Sequence, residues 1–132
     1  MVSLDTNVLI RFIVQDDAAQ FQLASELIIQ AKASGQRAVV TVLVVLECEW
    51  VLRSGYQYSK VQILSVLNSL IYNGDVSIED YPVLEKALDL WERSSAQFAN
   101  CFILAKSLAL GCSTLVTFDK RASKLANCSL LT

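Results

Sequence analysis

The sequence predicts an α/β fold: a three-layer α/β/α sandwich built on a short, mainly parallel sheet of about five strands. Three observations carry this expectation. Short apolar runs alternate with longer segments whose apolar residues recur at helical spacing. Those longer segments can cross over between parallel strands, a connection that a tight hairpin cannot make. Acids follow the apolar runs at Asp5 and near Asp119, and open α/β sheets place their sites just beyond the carboxyl ends of strands. The 132 residues suffice for one domain, 1–132, with a sizeable core, and they contain no repeat or linker.

The elements follow in order. Residues 2–4 are the first expected strand, and Thr6 caps a short helix through about Val14. Asp16 and Asp17 introduce a second helix that Gly35 ends, with Phe21, Ala24, Leu27, Ile28 and Ala31 on one face. Residues 38–41 are the second strand. Residues 42–53 are rich in β-branched side chains, yet Leu43, Leu46, Glu47, Trp50 and Val51 recur at helical spacing, so a helix is expected. Ser59 and Gln62 are spaced as a capping box opening a helix to about Ile71, and Asn73-Gly74 makes a turn. Residues 76–78 are the third strand. Asp80 caps a helix with Pro82 in its first turn and Leu84, Leu88 and Trp91 on its buried side. Ser94 and Gln97 repeat the capping-box spacing before a helix that runs to Leu110 and stops at Gly111. Residues 114–116 are the fourth strand, 119–126 a short helix, and 129–131 an edge strand.

Composition narrows the chemistry. Hydrophobic residues make up 54% of the chain, which suits strands buried on both faces or a surface that a partner covers. No apolar stretch approaches the ~20 residues of a membrane span, and the opening residues do not read as a signal peptide, so a cytoplasmic protein with no membrane association is expected. The four cysteines, Cys48, Cys101, Cys112 and Cys128, form no C-x-x-C pair and read as buried free thiols. There is no histidine, which removes Ser-His-Asp and Cys-His catalysis and any imidazole metal site. Acid–base or metal chemistry must therefore use carboxylates, amides, hydroxyls or lysine. A net charge of −2 does not advertise a nucleic-acid binder, although bound divalent cations can offset carboxylates at a phosphate site.

Three acids lie in apolar surroundings. Asp5 ends the first strand, Glu47 lies in an apolar run, and Asp119 closely follows the fourth strand. In a parallel sheet, Asp5 and Asp119 project at one edge, and Glu47 can point toward it. Convergent carboxylates repel one another unless a cation separates them, and oxygen ligands suit Mg2+ or Mn2+. Each residue also has a plainer role. Asp5, Thr6 and Asp119 suit helix caps, Glu47 can pair with Arg53, and Glu49 suits a solvated position. Trp50 and Trp91 suit core or interface. Lys120, Arg121 and Lys124 suit a solvated face or a phosphate contact.

The motifs L-D-T-N-V-L-I at the start, V-L-E-C-E-W-V-L around Glu47 and T-F-D-K at Asp119 together resemble PIN domains, specifically VapC-type toxins, over essentially the whole chain. The resemblance implies an endoribonuclease dependent on Mg2+ or Mn2+ that cuts RNA with metal-activated water. It also implies a homodimer and a small antitoxin protein as partner. Asp5, Glu47 and Asp119 match family acids, with Thr6, Asn7 and Thr117 supporting them. The fourth metal-site position departs from the pattern. Where the family reads D-F-A-D, this chain has Gln97-Phe98-Ala99-Asn100. Asn100 can offer a carbonyl oxygen to a metal, but it brings no charge and cannot act as a base. This implies weaker metal binding and attenuated activity. The two amides also fit a second reading, a catalytically silenced PIN-fold module that keeps dimerisation and antitoxin or RNA binding. Receiver and haloacid-dehalogenase-like readings fit less well: residues 76–80 are a poor phospho-acceptor strand, and Asn7 stands where such a phosphatase needs a second aspartate.

Overall fold

A computed structural model describes all residues, 1–132, in two compact units, Met1–Glu79 and Asp80–Thr132. In the first unit the order is α1 (Thr6–Val14), α2 (Ala18–Ala33), β1 (Val39–Val40), α3 (Val42–Ser54), α4 (Lys60–Asn73) and β2 (Ser77–Ile78). The second holds α5 (Tyr81–Glu92), α6 (Phe98–Ala109), β3 (Leu115–Thr117), a single 3-10 turn (Ala122–Lys124) and β4 (Cys128–Leu130).

The expected parallel pairing is found, in strands shorter and fewer than the five expected. In the first unit, β1 lies between β2 and the chain start. Val39 and Val40 pair in parallel with Ser77 and Ile78, and a single parallel bridge joins Ser3 to Val39. Residues 2–4 thus contribute a bridge, with Leu4 N–H donating to Val39 O at 2.9 Å and Val39 N–H to Val2 O at 2.8 Å. In the second unit, Leu115, Val116 and Thr117 pair in parallel with Cys128, Ser129 and Leu130. Segments of two or three residues carry little alternation, so their limits cannot be read from side-chain pattern.

The helices start for local reasons. Asp17 caps α2, accepting from Gln20 N–H, and Ser59 with Gln62 forms the full capping box of α4. Gly74 ends α4 in the left-handed conformation, at φ +69°, that glycine adopts without strain. Three expectations change. Asp5, not Thr6, is the cap of α1, its carboxylate accepting from Thr6 N–H at 2.8 Å. The Ser94/Gln97 box does not form, because Gln97 is itself the cap position of α6 and gives no side-chain bond to it. The helix expected over 119–126 shrinks to the 3-10 turn.

The largest change concerns α3. Its buried side is Val45, Cys48, Glu49 and Leu52, while Leu43 is 71% and Trp50 59% exposed. The opening run Val42-Leu43-Val44-Val45-Leu46 is apolar all round, so its periodicity does not fix which side faces inward. Glu49, expected in solvent, is buried. It accepts a hydrogen bond from Arg53 Nε at 2.8 Å, one turn along the helix. The arginine therefore pairs with Glu49 and not with Glu47. Removing the guanidinium leaves a buried carboxylate without its counter-charge. Arg53→Ala should lower stability to urea by about 2 kcal/mol, less than for a fully buried pair because Arg53 is half exposed. Adding Glu49→Leu should recover most of that loss. A double variant no more stable than Arg53→Ala would contradict this account.

In the second unit α5 and α6 pack together. Leu84, Leu88 and Trp91 are buried on α5, as its spacing predicts. The Trp91 ring packs against Phe98 at 5.2 Å between centroids, and Phe98 against Phe102 at 5.4 Å. Cys48 and Cys101 are buried, Cys128 is half-buried and Cys112 exposed, so only two of the four free thiols fit the expected burial.

Candidate active site

The expected site residues divide between the units. Asp5, Thr6, Asn7 and Glu47 belong to the first; Asn100, Thr117 and Asp119 belong to the second.

In the first unit the chain turns from the Ser3 bridge into α1 at Asp5, which places its carboxylate just past the end of a parallel strand segment. Asp5 is exposed and extended, at φ −74° and ψ 161°. Thr6, the first residue of α1, is buried and tied in two directions. Its N–H donates to Asp5 Oδ1, and its hydroxyl donates to Glu47 Oε2. Glu47 projects from the exposed side of α3. One threonine thus links two carboxylates that lie 42 positions apart in the sequence. Asn7 is exposed and lines an open groove of about 280 Å³ with Val8, Arg11 and Leu23.

In the second unit β3 ends at Thr117. Its hydroxyl accepts from Asp119 N–H at 3.0 Å. Asp119 is half-buried, and its Oδ1 accepts from Ala122 N–H at 2.9 Å. Asp119 thus holds the first N–H of the 3-10 turn, whose cap position is Arg121, and only one carboxylate oxygen is used in doing so. Asn100, the third residue of α6, is half-buried.

The expected donors are oxygens in each unit: two carboxylates in the first, one carboxylate and one amide carbonyl in the second. Oxygen donors suit a hard divalent cation and not a soft or imidazole-seeking one. Cys48, next to Glu47, supplies no thiolate. Its thiol is fully buried, and burial, reinforced by the Glu47 charge, pushes it up to about 12. Neither unit by itself gathers three acidic or thiol side chains in metal-binding range. The Thr6 link was not legible from its own residue type, since a threonine after an aspartate reads first as a cap. Its signal lies in the pairing of Asp5-Thr6 with a glutamate on a later helix.

A family model for the PIN domain matches residues 2–127. The chain belongs to the PIN domain family. PIN domains are three-layer α/β/α folds, so the expected fold class holds. This PIN chain is also similar to a VapC ribonuclease of Aquifex aeolicus (strain VF5). The two are 23% identical over 125 residues, spanning 95% of this chain and 92% of that protein. No helix of this PIN domain is long and apolar enough to cross a membrane.

Proposed function

We propose that this PIN domain is a VapC-like endoribonuclease, dependent on Mg2+ or Mn2+, and the toxin half of a toxin–antitoxin pair. The observation that carries the reading is Thr6 holding Glu47 beside the Asp5 turn, in a chain similar along its length to a VapC ribonuclease. Asp5, Glu47, Asn100 and Asp119 are the residues that hold the cation, in one domain spanning 1–132. Held by these residues, a divalent cation would supply Lewis acidity toward a phosphate and would lower the pKa of a bound water.

The chain's own residues do the rest. Thr6 fixes Glu47, so the carboxylate is oriented before substrate arrives, and Thr117 fixes the backbone of Asp119. With no histidine in the chain, the carboxylates of this set are its groups able to accept a proton from water. Asn100 contributes a neutral carbonyl where the family has an acid, which lowers cation affinity and attenuates the activity. A small antitoxin protein as inhibitor, a homodimer as the working form and the cytoplasm as the location complete the proposal.

The test is cleavage of single-stranded RNA by purified protein across a titration of Mg2+ and Mn2+. Cleavage should require the cation and vanish in Asp5→Asn. Thr6→Val keeps the side chain's shape and removes its hydroxyl; it should lower the rate about 10- to 100-fold, while Thr6→Ser stays close to the parent. A parent that binds RNA or an antitoxin but cleaves at no cation concentration would replace the enzyme with a silenced binding module.

A further inference from the structure

The second unit carries a feature that metal chemistry does not use. Phe118 stands between Thr117 and Asp119 and is 78% exposed. It continues the outward side of β3, where Val116 is also exposed while Leu115 and Thr117 are half-buried. Lys120, Arg121 and Lys124 follow, all exposed. None of the three takes part in a salt bridge, whereas Arg11, Lys32, Arg53, Arg93 and Lys106 all do. The residues after Arg93 hold four cations against the single acid Asp119, although the whole chain is net negative. Positive charge is therefore concentrated at the segment that carries Asp119.

The backbone beneath these side chains is fixed. Asp119 N–H donates to Thr117 Oγ1 and Ala122 N–H to Asp119 Oδ1, while Ser123 Oγ donates to Lys120 O at 2.7 Å. Ala122 and Leu125 are buried and anchor the turn. A backbone tied in this way presents one bare ring and three unpaired cations, so binding needs little ordering of the backbone itself. An aromatic face beside a basic track is the combination that holds single-stranded nucleic acid: any unpaired base can stack on the ring, and the cations meet successive phosphates.

We propose that Phe118, Lys120, Arg121 and Lys124 form a binding surface for single-stranded RNA, with a base stacked on Phe118 and the backbone running past Asp119. This rests on the nuclease reading for its purpose, but it is tested by binding alone. The measurement is fluorescence anisotropy of the full chain with a short labelled unstructured RNA in EDTA, which prevents cleavage, at several salt concentrations.

Phe118→Ala should weaken binding about tenfold or more, and Phe118→Tyr should keep it. The triple variant Lys120→Ala/Arg121→Ala/Lys124→Ala should lower the slope of log affinity against log salt by about 2. Lys86→Ala, at an exposed position of α5, should change little. All substituted side chains are exposed, so melting temperatures should match the parent. Parent-like RNA binding in both Phe118→Ala and the triple variant overturns the inference, even if the protein cleaves RNA. Retained RNA affinity with loss of a protein partner overturns it as well, in favour of a protein interface. Loss of binding in these variants of a protein that never cleaves supports the surface and counts against the nuclease reading.

Discussion

Asn100→Asp should cleave single-stranded RNA about tenfold faster than the parent at limiting Mn2+, a gain equivalent to ~1.4 kcal/mol. The substitution exchanges a neutral carbonyl for a carboxylate of nearly the same size. A hard cation gains a charged oxygen ligand, so the gain should appear chiefly as a lower Mn2+ midpoint and should narrow at saturating metal. Gln97→Asp separates chemistry from folding. Gln97 is the cap position of α6 without a side-chain bond to the helix, and aspartate is a favoured cap. That variant should raise stability by about 1 kcal/mol and leave the Mn2+ midpoint unchanged. A parent already at full rate at low Mn2+, with no response to Asn100→Asp, would remove the case for attenuation.

The second large effect is a loss of stability in alkali. The Cys48 thiol, with an ordinary value of 9.0, is pushed up to about 12 by burial and by the charge on Glu47. Below pH 9 both folded and unfolded states keep the proton, so stability does not depend on it. Above pH 9 the unfolded chain releases the proton while the folded chain retains it. Stability then falls with rising pH until the folded thiol also ionises near 12. The slope is up to ~1.4 kcal/mol per pH unit, or about 3 kcal/mol by pH 11. Cys48→Ala should remove that slope while costing a small cavity at every pH. The check is urea unfolding of both proteins from pH 8 to 11 under reducing conditions. Every other group is common to both proteins and cancels in the comparison. Parallel stability curves would show that the buried thiol contributes no such dependence. Native-state alkylation should agree, with exposed Cys112 reacting first and buried Cys48 and Cys101 last.

Where local chemistry decides structure, the chain was readable. The Ser59/Gln62 box, the Asp17 cap, the Gly74 stop and the Leu84/Leu88/Trp91 side of α5 all follow from residues within a few positions of one another. Asp5, Glu47 and Asp119 were picked out as candidates by their apolar surroundings, and the structure links the first two through Thr6. What was not readable depends on distant neighbours. Nothing within residues 42–46 says which side of α3 faces inward. The fate of Glu49 therefore could not be told from that of Glu47. The link from Thr6 to Glu47 spans 41 positions and has no local signal. The second Ser-x-x-Gln failed because the same spacing serves equally well when its glutamine, and not its serine, begins the helix.

Glu47 and Glu49 are two residues apart on α3, about 200° around the helix. One meets the Thr6 hydroxyl at the surface; the other meets Arg53 from a buried position. Between the Thr41 cap and Glu47 the helix therefore tolerates changes of composition far better than changes of length. Inserting or deleting one residue would turn everything beyond it by about 100°, withdrawing a carboxylate from Thr6 and exposing the Arg53 partner together. Among natural variants of this chain, insertions and deletions should be excluded from this stretch or come in whole helical turns.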